Sequence, residues 1–200
     1  MSRTFRYFER PYDYSTYHED AKRCDICGED RPVYDGPFYG ERDDIERVCE
    51  ECLAAGRLRD LDLETNEGDS AALRASLAAL RPELNEVERE RIGRERDDEV
   101  RHMTPHVVTW QDFIWPVHCG DYCRYVGEVG QRDLLALAPD GSDGPAFLMT
   151  HDYQRTITDI ALARDIWDGI PSEMVIANSP AVYLFSCLTC DEPLLIWDAD

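Results

Sequence analysis

The residues whose types and spacing could do chemistry are the cysteines. All eight fall into close pairs: Cys24 with Cys27, Cys49 with Cys52, Cys119 with Cys123, and Cys187 with Cys190. A thiolate is a soft anionic donor, and two of them two or three residues apart can hold one side of a tetrahedral ion. Two pairs complete a four-cysteine site, so eight cysteines read as two Zn2+ ions per chain with none left over. The first two pairs lie in one local segment and complete each other. Cys119 and Cys123 must then reach Cys187 and Cys190 across more than 60 residues. The entropy of closing so long a loop grows only slowly with its length. His118 adjoins Cys119 and reads either as a residue supporting the site from outside or as a ligand replacing a cysteine. Asp121, between Cys119 and Cys123, reads either as a solvated acid or as a catalytic base.

Local elements must position these donors. Cys24 and Cys27 bracket a tight turn closed by Gly28, where the chain often needs a positive φ as it leaves a metal. Arg31 to Tyr34 suits a short strand, Asp35-Gly36-Pro37 a turn, and Leu53 the start of a helix after the second pair. Knuckle, hairpin, second knuckle and helix describe a treble-clef or ribbon-like unit. Near the C-terminus, Val182–Phe185 and Leu194–Trp197 read as strands flanking the knuckle Cys187–Cys190, half of a zinc ribbon. Asp191 stands where such a knuckle often has glycine, and Asp tolerates a left-handed backbone better than most residues. On a helix, Cys119 and Cys123 would share one face.

Between these blocks the pattern is helical. Asp69 or Ser70 caps a helix carrying Leu73, Leu77 and Leu80 on one face. Pro82 suits the first turn of a second helix through Leu84, Val87 and Arg91, with Glu90–Arg94 and Arg91–Glu95 spaced for salt pairs. Pro139 to Pro145 reads as a loop, and Ile157 to Trp167 as a helix ending near Gly169. Residues 1–20 read as an irregular arm packing aromatic rings on the core. The expected fold class is α+β, a small zinc-stabilised protein with zinc-ribbon or treble-clef-like knuckles, short β-hairpins and intervening helices. Its expected divisions are 1–60 (arm and first zinc unit), 61–103 (charged helical segment) and 104–200 (second zinc unit closed by the C-terminal hairpin).

Charge narrows the partners. The chain has 42 acidic against 21 basic side chains, a net charge of -21. Such a surface repels polyanions and makes nucleic acid and anionic membranes poor partners. An acidic proteome would give the same balance without reference to any partner. No apolar run reaches the roughly 20 residues of a spanning helix, so no membrane insertion is expected. The polar, aromatic N-terminus carries no signal-peptide pattern. The expected compartment is the cytoplasm, where reducing conditions favour metal-bound thiolates over disulfides. Protein partners are expected.

Three blocks together resemble the CbrC family of small bacterial proteins. The first is Cys24-x-x-Cys27-Gly28, Gly36-Pro37-Phe38-Tyr39 and Cys49-x-x-Cys52. The second runs from Thr104-Pro105 through Trp110-Gln111, Trp115 and His118-Cys119-Gly120-Asp121 to Cys123 and Gly127. The third is Tyr183-Leu184-Phe185-x-Cys187-x-x-Cys190, with Asp198 and Asp200 in an acidic tail. His106 and Asp191 depart from glycines expected there. The resemblance implies a link to colicin tolerance and to envelope or stress regulation, and supplies no catalytic residues.

The leading functional reading is a non-catalytic binding or regulatory protein. A closed site with four thiolates leaves no coordination position for water or substrate, and no phosphate-binding glycine loop or HExxH motif is present. The alternative is a zinc- or thiol-dependent enzyme near His118, Cys119 and Asp121, with His106 and Trp115 lining a pocket. A nucleic-acid-binding zinc ribbon is the third reading, opposed by the net charge.

Overall fold

A computed structural model describes residues 4–139, 141–176 and 178–199. Its contacts divide the chain into two units. One is the chain up to Val108 with Ile114–Arg124, and the other is Thr109–Phe113 with Tyr125 onward. The charged helical segment 61–103 lies inside the first unit.

The first unit begins with the aromatic arm. Phe5, Tyr7, Phe8 and Tyr14 are buried, as expected of rings packed on a core. The arm is more regular than expected. It forms a one-turn helix α1 (Pro11–Tyr14), with Pro at its start, and then strand β1 (Tyr17–Arg23). β1 pairs antiparallel with β2 (Asp30–Asp35), and β2 with β3 (Arg47–Cys49). Helix α2 (Glu50–Ala54) follows directly. A 3-10 turn at Arg59–Leu61 and the short strand β4 (Glu67–Gly68) lead to helix α3 (Ser70–Leu80).

Helix α3 is capped as the sequence predicts: the Asp69 side chain accepts from Ala72 N at 2.9 Å. Leu73 and Leu77 are buried on its inner face, but Leu80 is exposed at its C-terminal end. The second helix does not open at Pro82. Helix α4 (Glu86–Met103) starts four residues later, where Asn85 and Glu88 form a reciprocal capping box. Two satisfied end amides outweigh the preset φ of a proline. Val87 is exposed on this helix, whereas Gly93 and Val100 face inward. The salt pair Arg91–Glu95 is present at 2.7 Å. Beyond α4, strand β5 (Ile114–Trp115) pairs parallel with β4. The hairpin of β6 (Val117–His118) and β7 (Asp121–Tyr122) completes the unit.

The second unit is built on a three-stranded sheet ordered β10-β9-β8. Its strands are β8 (Arg124–Glu128), β9 (Ala181–Ser186) and β10 (Pro193–Asp198). β9 and β10 form the expected terminal hairpin, in register from Phe185–Leu194 to Val182–Trp197. Helices α5 (Gln131–Leu137), α6 (Gly144–His151) and α7 (Ile160–Gly169) connect β8 to β9. The α7 boundary matches the expected stop near Gly169. The stretch expected as loop from Pro139 turns into α6 at Gly144; Asp140 lies outside the described residues. Leu134, Phe147, Leu148, Ile157, Ile166 and Leu195 form the core of this unit. The mixed architecture agrees with the α+β expectation.

Candidate metal centres

The first centre grows from the β1–β2 turn. Cys24 directly follows β1, its N–H donating to Glu29 O at 2.9 Å. Its carbonyl accepts from Gly28 N at 2.8 Å, which folds the turn back on itself. Gly28 has φ of +75°, the left-handed conformation that a side chain resists. Cys49 is the last residue of β3, and Cys52 lies in the first turn of α2. The helix therefore starts before the second cysteine of the pair, at Glu50, and not at Leu53 as the sequence suggested. Cys49 takes the N-cap position, so helical geometry, not a second knuckle, sets its spacing to Cys52.

These elements bring Cys24, Cys27, Cys49 and Cys52 together, with their sulfurs all within 4.8 Å of one another. Cys27 Sγ lies 3.8 Å from Cys49 Sγ. Cys24 and Cys49 are fully buried and Cys52 is nearly so, whereas Cys27 is exposed. Cys24 Sγ accepts a hydrogen bond from Cys49 N at 3.3 Å. Burial pushes the Cys24 thiol up, but amide donors at Cys27, Cys49 and Ile26 outweigh it and bring its pKa down to about 7. Burial pushes Cys52 up to about 11 and raises Cys49 as well. A bound cation acts in the opposite sense to burial on Cys49 and Cys52, because only thiolates ligate.

Asp25 was not singled out from the sequence. Its Oδ2 accepts from Glu46 N at 2.9 Å and from Arg47 N at 2.8 Å. Its own N–H donates to Arg47 O at 2.9 Å. The residue between the first two cysteines thus fastens the start of β3, which carries Cys49, beside the turn carrying Cys24. An Asp in a knuckle is visible in the sequence, but its partners lie 21 and 22 residues away.

Two further turns carry cysteines. Cys119 and Gly120 link β6 to β7, with φ of +50° and +77°. The chain over Cys119–Cys123 therefore runs as a hairpin and not as a helix. A non-glycine residue held at positive φ is strained, and such strain gathers at functional sites. Gly120 N donates to Ser76 Oγ at 2.9 Å, which fixes the turn. Cys187 and Cys190 sit in the β9–β10 turn, where Cys187 N donates to Glu192 O and Asp191 N to Cys187 O. Asp191 has φ of +59°, the left-handed value its place in the knuckle requires.

Cys123 is fully buried, its N–H donates to Pro116 O at 2.9 Å, and its carbonyl accepts from Trp115 Nε1 at 2.7 Å. His118 and Cys119 are half-buried at the β6–β7 turn, whereas in the β9–β10 turn Cys187 is buried and Cys190 exposed. The first group offers four donors, enough for one ion.

The other residues of the enzyme reading are placed elsewhere. Asp121 is buried, accepting from Tyr7 OH at 2.8 Å and from Tyr122 N at 2.9 Å. It also pairs with Arg6 and, at 3.3 Å, with Arg96. His106 Nδ1 lies 2.9 Å from the Thr65 carbonyl oxygen. No described helix is long and apolar enough to cross a membrane.

The model of an uncharacterised protein family, UPF0167, matches residues 3–199. A UPF0167 protein of Pseudomonas aeruginosa is 26% identical over 190 residues, covering 94% of this chain and 92% of its own. UPF0167 proteins of Mycobacterium bovis and Mycobacterium tuberculosis are each 27% identical over 193 residues, covering 93% of this chain and 87% of theirs. No solved structure matches this chain.

Proposed function

This chain belongs to the uncharacterised protein family UPF0167, and from that premise and the donor geometry we propose that it is a zinc-binding protein without catalysis, acting as a binding or regulatory module. One Zn2+ is held by Cys24, Cys27, Cys49 and Cys52. The sequence spacing supplies Cys119, Cys123, Cys187 and Cys190 as the donors of the other.

The observation that carries this reading is the 3.8 Å separation of Cys27 Sγ and Cys49 Sγ. Sulfurs at the corners of a tetrahedron about 2.3 Å from a zinc stand about 3.8 Å apart, whereas a disulfide would bring them to about 2.05 Å. The donor chemistry agrees, since thiolates suit zinc better than the hard cations. Four protein donors per ion fill the coordination sphere, which supports structural roles for both. Asp121, the carboxylate nearest in sequence to act as a base, is engaged by Arg6, Arg96 and Tyr7.

The ions would supply fixed charge and cross-linking. The net charge of -21 favours a basic or neutral protein partner over nucleic acid. The cytoplasm is the compartment in which these thiols would persist reduced. The CbrC resemblance gives the finer reading, a contribution to colicin tolerance.

Elemental analysis of protein purified without chelators tests the proposal. Two zinc ions per chain are expected. A metal-free folded protein, or iron in place of zinc, overturns it.

A further inference from the structure

Cys27 differs from the other three donors of the first centre. Cys24, Cys49 and Cys52 are buried, and Cys27 alone is open to solvent. Its sulfur is 3.8 Å from that of Cys49. No residue of the chain is covalently committed to it, since all eight cysteines are unbridged thiols. Resting on the zinc reading above, we propose that Cys27 is an oxidation site, and that a peroxide converts Cys27 and Cys49 to a disulfide with release of the first zinc.

The chemistry balances with hydrogen peroxide as the oxidant. The Cys27 sulfur attacks one peroxide oxygen, and the O–O bond breaks. This gives a sulfenic acid at Cys27 and hydroxide, which takes a proton from solvent to become water. The Cys49 sulfur then attacks the Cys27 sulfur, and the S–O bond breaks with loss of a second hydroxide, also protonated to water. Each sulfur loses one electron, and the two electrons reduce one peroxide to two waters. The zinc loses two of its four ligands and passes to solvent.

The geometry favours this pair for two reasons. Access decides which sulfur meets the oxidant, because oxidation follows exposure as well as thiolate character. A tetrahedral edge then places the resolving sulfur within a short movement of bonding distance. Cys49 sits at the β3–α2 junction and Cys27 in a turn, so the movement falls on the turn. A reductant reverses the step by restoring both thiols, which makes the centre a reversible modification site.

The experiment uses the full chain as purified, with its zinc counted first. Hydrogen peroxide is added in the presence of a chromophoric zinc chelator, and the product is mapped by mass spectrometry without reduction. The expected result is the loss of one zinc per chain, in step with a Cys27–Cys49 linked peptide, and rebinding after a thiol reductant. Cys27→His keeps a donor but removes the oxidisable sulfur, and should hold its zinc under the same peroxide. Zinc present but retained through peroxide treatment, or released with a linkage that excludes Cys27, overturns this inference while leaving the zinc reading intact. Absence of zinc at the start overturns the zinc reading itself. Should Cys27→His bind no metal, the peptide map of the unaltered chain still decides.

Discussion

Asp121 Oδ1 accepts a 2.8 Å hydrogen bond from the Tyr7 hydroxyl, 114 residues earlier in the chain. The contact ties the N-terminal arm to the β6–β7 hairpin. Burial, with the Asp121 charge as the next contribution, pushes the Tyr7 phenol well above its ordinary range, so Tyr7 remains a donor at all moderate pH values. Arg6 and Arg96 balance the carboxylate. A residue adjoining candidate ligands in the sequence is thus a structural anchor.

Asp121→Asn should therefore destabilise the protein without changing its metal content. It leaves two guanidinium groups without their shared anion, and breaking one partner of a buried pair costs on the order of 3 kcal/mol. A lower urea midpoint with two zinc ions retained is expected. An unchanged midpoint would show that the pairing contributes nothing.

Asp25→Ala should weaken the first centre although Asp25 is not a ligand. Two backbone N–H groups of the β3 lead lose their carboxylate acceptor, and a lost charge-assisted hydrogen bond costs about 1.5–3 kcal/mol. Competition with a chelator should show the first zinc released at lower chelator concentration than in the unaltered chain. Equal retention would mean that the sheet alone holds Cys49 in place.

Gly144→Ala tests the packing of α6 on α7. A Cβ at residue 144 would fall 2.3 Å from Trp167 Cζ2, which is not a viable contact. Overpacking of this kind typically costs about 1–3 kcal/mol. A lowered melting temperature with altered tryptophan fluorescence is expected. An unshifted melt would mean that Trp167 moves aside freely.

The sequence by itself determined what is local. Cys24-x-x-Cys27-Gly28 encodes a turn, because two donors and a residue free to take positive φ leave few other conformations. The terminal hairpin around Cys187 and Cys190, the Asp69 cap and the end of α7 near Gly169 were legible for the same reason: each depends on residues a few positions apart. Tertiary structure decided the rest. Pro82 was a plausible helix start until the Asn85–Glu88 capping box satisfied more backbone groups. Cys123 matched the spacing of a ligand, but spacing along the chain does not say whether the chain runs as a helix or a hairpin. The chain runs there as a hairpin, with Trp115 Nε1 bonded to the Cys123 carbonyl. Asp25 and Asp121 took their roles from partners far away in the chain, and a long-range hydrogen bond leaves no periodic or compositional mark on the residues that make it.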